Sequence, residues 1–262
     1  MKKQIRRVLA FYSFLVRNNG LNRDTVLALF FWTVLQVQKR FRLFMSFRER
    51  IKPGVHLRLR VQGFIINCRT GHAGLVEELF LKRRFDIPSG DIVDCGANIG
   101  LFALSVSRKA RGKIFCIEPD PANIALLRKN LEQNHVPATV LPVAAGEMPG
   151  ELRFVSTKNA VGSHVMQEHE RLKENERIVK VRVEPLDRII SQQKIDPAFI
   201  KIDVEGYEME TLAGLKQTLK RYHPLLLIEV HQERFYEQIH SFLAAFQYRQ
   251  FKRAYGDSII CS

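Results

Sequence analysis

The stretch Ile92-Val93-Asp94-Cys95-Gly96-Ala97-Asn98-Ile99-Gly100 constrains this chain more than any other. A short apolar run ends in Asp-x-Gly-x-Asn-x-Gly. Ile99, Phe102, Ala103, Val106 and Ala110 then recur with helical spacing. Strand, glycine turn and helix in that order is the form of loops that hold nucleotide cofactors. Glycine admits positive φ and lets backbone approach a ligand. Asp94, ending the strand, can hold a cationic or hydroxyl group. The dinucleotide pattern Gly-x-Gly-x-x-Gly is absent, because Gly96 and Gly100 have Asn98 between them. A tight strand-to-helix turn without a ligand is the plain alternative on this stretch alone.

Further along the chain the pattern repeats. Lys113-Ile114-Phe115-Cys116-Ile117 is a second apolar run, ending in Glu118-Pro119. An acidic residue there, about 20 residues past the glycine turn, is where such folds grip ribose hydroxyls. Ile124, Leu127 and Leu131 mark the next helix, and Ala138 to Ala145 reads as a third core strand. Phe199-Ile200-Lys201-Ile202 leads into Asp203-Val204-Glu205-Gly206. Leu225 to Ile228 leads into Glu229-Val230-His231. Residues two apart on a strand point to one side, which groups Asp203 with Glu205 and Glu229 with His231. Four core strands ending in acidic groups describe the ligand-binding carboxyl edge of an open parallel sheet. For His231 a structural role tying strand to helix stays open, as does helix capping for Glu205.

Charge separates the chain into two parts. Of 41 Lys and Arg, 14 fall in residues 1–60, against Asp24 and Glu49. The remainder is near neutral. Such asymmetry points to an anionic partner. Lys2, Lys3, Arg6 and Arg7 precede a helical face of Ile5, Val8, Leu9, Tyr12 and Val16, and Asn19-Gly20 reads as its stop. A secretory leader is disfavoured, because Arg17-Asn18-Asn19 stand where small cleavage-site residues belong. Asp24 can cap a second helix whose body, Val26 to Val37, is too short to span a bilayer. Phe41, Phe44 and Phe47 come next, interleaved with Arg40, Arg42, Arg48 and Arg50. Two readings stand: an interfacial helix on anionic lipid, or a stripe packed on the main domain. The apolar content disfavours nucleic acid. The four cysteines at 68, 95, 116 and 261 lack ligand-like spacing, which predicts buried free thiols and a reducing compartment.

Pro53-Gly54 closes this segment, giving a basic helical unit over 1–52 and a main domain over 53–262. Residues 55–68 predict a β-hairpin, Glu77 to Phe85 a short helix, and 152–155 a strand pairing with 178–183. The stretch 156–177 between them reads as a mobile loop or lid. Pro185-Leu186-Asp187 starts a helix, Leu212, Leu215 and Leu219 mark another, and strands over 246–252 and 258–261 close the chain.

Asp94-x-Gly96-x-Asn98-x-Gly100, Glu118-Pro119, Lys201-Ile202-Asp203-Val204-Glu205-Gly206-Tyr207-Glu208 and Glu229-Val230-His231 together resemble the FkbM-type methyltransferases over roughly residues 55–250. That resemblance implies a Rossmann-like, doubly wound α/β fold: a mostly parallel seven-stranded sheet with an antiparallel last strand. The basic helical segment and the hairpin precede it. It implies S-adenosylmethionine as cofactor. Gly96, Asn98 and Gly100 would cradle the methionine end with Asp94 close by, and Glu118 would take the ribose hydroxyls. Pro119, Asn123 and the Ala144–Glu147 turn would lie near adenine. It also implies O-methylation of a sugar, glycan or related small or lipid-linked metabolite. Methyl transfer to an alcohol needs an aligned acceptor and a group that takes the hydroxyl proton. Asp203, Glu205, Glu229 and His231 are the candidates, His231 being the readiest base near neutral pH. The same four could ligate a divalent metal, which is compatible but not predicted. The expected setting is cytoplasmic, with residues 1–50 on the anionic inner face of a membrane. The alternatives are a nicotinamide-dependent oxidoreductase and a non-catalytic membrane-binding module on the same fold.

Overall fold

The computed structural model describes residues 2–40, 55–77, 79–80, 86–157, 163–166, 170–174, 176–254 and 257–262. The Phe41–Phe47 stripe, its interleaved arginines and Pro53-Gly54 lie outside them.

Two helices open the chain, α1 (Lys2–Asn19) and α2 (Arg23–Arg40). Gly20 ends α1 at φ +68°, a left-handed stop that glycine adopts without strain. The cap of α2 is Asn22 rather than Asp24: Asn22 Oδ1 accepts the Thr25 N–H at 2.9 Å. Asp24 sits inside the first turn, where Oδ2 accepts the Arg58 N–H at 3.0 Å. Phe11, Leu15, Ala28, Leu29 and Trp32 are buried in one cluster with the hairpin's apolar side chains. The Phe11 and Trp32 rings lie 4.7 Å apart.

The hairpin forms as expected, β1 (His56–Val61) against β2 (Phe64–Arg69), with Leu59 opposite Ile66. Gln62 and Gly63 both take positive φ, the two-residue turn that matches strand twist. A two-stranded sheet leaves two unpaired edges, which side chains satisfy here. On the β1 edge Asp24, Asn19 and Asn18 accept the N–H groups of Arg58, Arg60 and Gln62. On the β2 edge Asn134 and Asn130, one turn apart on a later helix, bond both backbone groups of Ile65 and Asn67. A 3-10 turn, Thr70–His72, then leads to α3 (Ala73–Glu77). This helix ends at Glu77, where the expected one begins, and Ala73 and Val76 supply its buried face; residues 78 and 81–85 of the expected helix lie outside the described residues.

The main sheet holds seven strands in the order β12-β13-β11-β10-β3-β4-β5. They are β3 (Asp91–Cys95), β4 (Ile114–Ile117), β5 (Ala138–Leu141), β10 (Pro197–Ile202), β11 (Leu225–Glu229), β12 (Phe251–Arg253) and β13 (Ser258–Cys261). Strands β5, β4, β3, β10 and β11 run parallel, and β13 is antiparallel to β11. The helices α4 (Leu101–Ser107) and α5 (Pro121–Gln133) cover one face together with the N-terminal elements. The other face carries α6 (Leu186–Gln193), α7 (Glu208–Ala213), α8 (Lys216–Tyr222) and α9 (Glu233–Ala244). The expected third strand over 138–145 splits at Pro142, which lacks the N–H a ladder needs. Its second part, β6 (Ala144–Ala145), joins a separate four-stranded sheet. That sheet pairs β7 (Gly150–Thr157) with β9 (Glu176–Glu184), Leu152 opposite Val181, and carries β8 (His164–Val165) on its edge. All four cysteines are buried and free.

The chain passes from β3 outward to β4 and β5, then returns to β10 on the other side of β3. The order therefore reverses between β3 and β10. Open α/β sheets bind ligands in the crevice at the carboxyl ends of such a pair.

Candidate active site

The two halves of the crevice meet at Gly96. Its φ is +79°, and a Cβ there would lie 1.8 Å from the Asp203 carbonyl oxygen. Glycine at 96 therefore serves contact between two strand-end turns, a use the sequence pattern alone did not distinguish from contact with a ligand. Gly100, at φ +83°, starts α4 where a side chain would strike Leu127.

Lys201 joins the same two turns. It is a lysine inside an apolar strand, 5% exposed. Its Nζ donates to Asp203 Oδ2 at 2.8 Å and stands 3.6 Å from Asp94 Oδ1. Burial opposes its charge, but Asp203 and Asp94 hold its pKa above the usual lysine range. Asp94 is fully buried. Burial raises its pKa and Lys201 counters that. Asp94 thus reaches the crevice through Lys201 and not with its own carboxylate. Sequence reading gave Lys201 no role, although a lone lysine between Ile200 and Ile202 was a visible signal.

On the β4 side, Glu118 is 4% exposed. Its Oε2 accepts the Asn98 N–H at 2.7 Å, and Oε1 accepts the Asp120 N–H at 3.0 Å. Asn123 Nδ2 donates to Oε1 at 3.4 Å. Burial pushes the Glu118 carboxyl up to about 7, against the lowering effect of those hydrogen bonds. Asn98 holds φ +50°, and Pro119, which follows Glu118 in the chain, is half-buried. Asn123 is buried against the Arg69 guanidinium. The geometry thus gathers Gly96, Asn98, Glu118, Pro119 and Asn123 on one wall.

The other wall holds Asp203, Glu205, Glu229 and His231. Strand β10 stops at Ile202, so strand alternation does not group Asp203 with Glu205. The turn does. Glu205 takes φ +52° ahead of Gly206 at +96°, an uncommon conformation for a side-chain-bearing residue. His231 Nε2 lies 3.4 Å from Glu205 Oε2 and 3.7 Å from Asp203 Oδ1. Its Nδ1 meets Glu208 Oε1 at 2.8 Å, and Glu208 is fully buried. Burial works against the imidazolium, but Glu208, Glu205 and Asp203 together push the His231 pKa up to about 9. The residue expected to be the readiest base is thus a cation at neutral pH, because three carboxylates surround it. Asp203, Glu229 and His231 each bring one donor atom within 4.8 Å of one another, a set able to ligate a divalent ion. Sequence reading gave Arg69, His72 and Glu208 no role. Arg69 and His72 lie in an unremarkable hairpin exit with no chemical signature.

A family model described as the methyltransferase FkbM domain matches residues 94–255. The hexuronic acid methyltransferase AglP of Haloferax volcanii is 28% identical over 142 residues, which is 53% of this chain and 54% of AglP. Methyltransferase sdnD of Sordaria araneosa is 31% identical over 160 residues, 57% of this chain and 56% of sdnD. The matched stretch thus spans little more than half the length of these curated relatives. A crystal structure of methyltransferase FkbM from Methylobacillus flagellatus KT superposes with a TM-score of 0.50 at 18% identity. That superposition covers 99% of this chain and 58% of the other, a likeness of fold. The family match begins at the carboxylate ending β3, runs through both walls of the crevice and takes in more than half the residues. This chain belongs to the FkbM methyltransferase family.

Proposed function

We propose that this chain is an S-adenosylmethionine-dependent O-methyltransferase acting on a hydroxyl of a sugar, glycan or related metabolite. One observation carries the reading: the turn after β3 and the acidic turn after β10 are in van der Waals contact at Gly96. A cofactor held by the first turn therefore faces the proton-accepting groups of the second. The residues present fit the cofactor. Glu118 offers a carboxylate to two ribose hydroxyls, while Gly96 and Asn98 lie at the lip for the methionine end. Bound there, S-adenosylmethionine would supply an electrophilic methyl on a sulfonium.

The chain's own groups do the rest. With the methyl supplied by S-adenosylmethionine, the acceptor's hydroxyl proton would pass to a carboxylate of the β10–β11 wall. We assign this role first to Glu205, whose side chain is more exposed than those of Asp203 and His231 and which is held in a left-handed turn. Asp203 is already engaged by Lys201, and His231 balances the negative charge around it. AglP is named for hexuronic acids, so their hydroxyls are the first acceptors to screen. Incubation with S-adenosylmethionine and a uronic acid panel, followed by mass spectrometry, should show a methyl ether. Methylation of the carboxylate alone would contradict the reading.

A second, metal-assisted reading draws on the Asp203, Glu229 and His231 donor set. Its test is activity before and after chelation, with manganese added back. We further propose a cytoplasmic enzyme whose segment 1–50 rests on anionic lipid at the inner face of the membrane. Val26 is 52% and Phe30 48% exposed, one turn apart on α2, beside a strongly basic segment. Among the described residues no helix is long and apolar enough to cross a membrane. Pelleting with phosphatidylserine vesicles, but not with phosphatidylcholine vesicles, should weaken in Phe30→Asp. Equal pelleting by variant and wild type would overturn the docking.

A further inference from the structure

We infer that the turn Arg69–His72, which precedes the matched residues 94–255, is part of the cofactor site, with His72 as a positioning residue for Asn98. The inference rests on the cofactor reading of the β3 turn.

His72 is fully buried, so both ring nitrogens need partners. Nδ1 lies 3.1 Å from the Arg69 N–H, which can only donate. Nδ1 is therefore the acceptor, and the Arg69 carbonyl at 3.3 Å is the longer contact. With that tautomer assigned from its partners, Nε2 carries the proton and donates to Asn98 Oδ1 at 3.1 Å. The amide of Asn98 is thereby oriented, its oxygen toward His72 and its NH2 group the other way. The same bond fixes a residue whose φ of +50° is sparsely populated. Asn98 in turn donates its backbone N–H to Glu118 Oε2.

A second relay leaves the same turn. The Arg69 guanidinium donates to Asn123 Oδ1 and, at 3.3 Å, to the Thr157 carbonyl. Asn123 Nδ2 donates to Glu118 Oε1. One relay therefore ends on each oxygen of Glu118, and both begin within four residues. The turn is a firm base for them. Asn130 bonds Asn67 on β2 and also donates to the Ile99 carbonyl at 2.9 Å, which locks hairpin, helix and cofactor turn together. Supporting hydrogen bonds of this kind set the precision of a binding site.

A buried histidine can also be plain packing, and two substitutions separate the roles. His72→Gln keeps an NH group at the Nε2 position and loses the Nδ1 acceptor. His72→Asn keeps a polar atom near Nδ1 and cannot reach Asn98. Binding of S-adenosylhomocysteine to the full chain is measured by calorimetry, with methyl transfer as a second readout. His72→Asn should raise Kd about tenfold and raise KM for S-adenosylmethionine, with kcat at saturation within about threefold. His72→Gln should stay within about threefold of wild type in Kd. The His72→Asn/Asn98→Ala pair should be no weaker than Asn98→Ala alone. Unchanged affinity in His72→Asn overturns the inference, as does an equal loss in both single variants alongside a lowered Tm. A folded wild type that binds no S-adenosylhomocysteine overturns the cofactor reading itself, and this inference with it.

Discussion

On the β4 side of the crevice, Asn98, Glu118 and Asn123 are held by hydrogen bonds from groups that are themselves buried, traceable back to the hairpin exit. On the β10–β11 side, Asp203, Glu205, Glu229 and His231 are partly exposed and gather by charge, with Lys201 as the buried counter-ion. The first wall is set before anything binds. The second concentrates negative charge beside the place where the proposed acceptor would give up its proton. The difference assigns separate duties: changes on the β4 wall should act on cofactor affinity, and changes on the β10–β11 wall should act on turnover.

The largest break in that separation is expected at the contact point, where both walls depend on one residue. Gly96→Ala places a Cβ against the Asp203 carbonyl at positive φ. A loss of about 4 kcal/mol is expected, a fall in Tm of about 10 °C, and thermal melting checks it. Binding and turnover should fail together. Next is Glu205→Gln, which should lower kcat by about 10²–10⁴-fold and leave the Kd for S-adenosylhomocysteine within about threefold. An equal change in both would merge the two walls. Glu118→Ala should do the reverse, raising that Kd by about 10–100-fold with a much smaller change in saturated kcat.

The smallest effect is a pH dependence. In the proposed binding mode the ribose hydroxyls would donate to the ionised Glu118 carboxylate, and that carboxyl is pushed up to about 7. Affinity in wild type should therefore rise as pH increases from 6 through 7 and level off above it, by at most about tenfold per pH unit. Glu118→Gln should flatten the profile. For folding the sign is opposite. A raised folded pKa gives a stabilising contribution fully present below 4.5, the ordinary value, and lost as pH rises through about 7.

The strand ends at 94, 118, 203 and 229 and the glycine turn were readable, because apolar runs and their polar terminators are local patterns. The pairing of 152–155 with 178–183 was readable from alternation. What escaped depends on contacts distant in sequence. Nothing near Asn130 or Asn134 says that their amides replace a neighbouring strand for Ile65 and Asn67. Nothing near Arg69 or His72 points to the turn after β3, 26 residues onward. Pro142 is a local signal of a different kind, a strand breaker that moves Ala144 and Ala145 into a second sheet. His231 was recognisable by its position, but its protonation depends on Glu208, the first residue of a helix 23 positions earlier in the chain.

The most direct measurement is calorimetric titration of the full chain with S-adenosylhomocysteine, run beside Glu118→Ala and Glu205→Gln and against NADH. Micromolar binding by wild type and Glu205→Gln, weakened about 10–100-fold in Glu118→Ala, with no binding of NADH, is the predicted result. Folded wild-type protein that ignores S-adenosylhomocysteine, or that takes NADH in its place, would contradict the account.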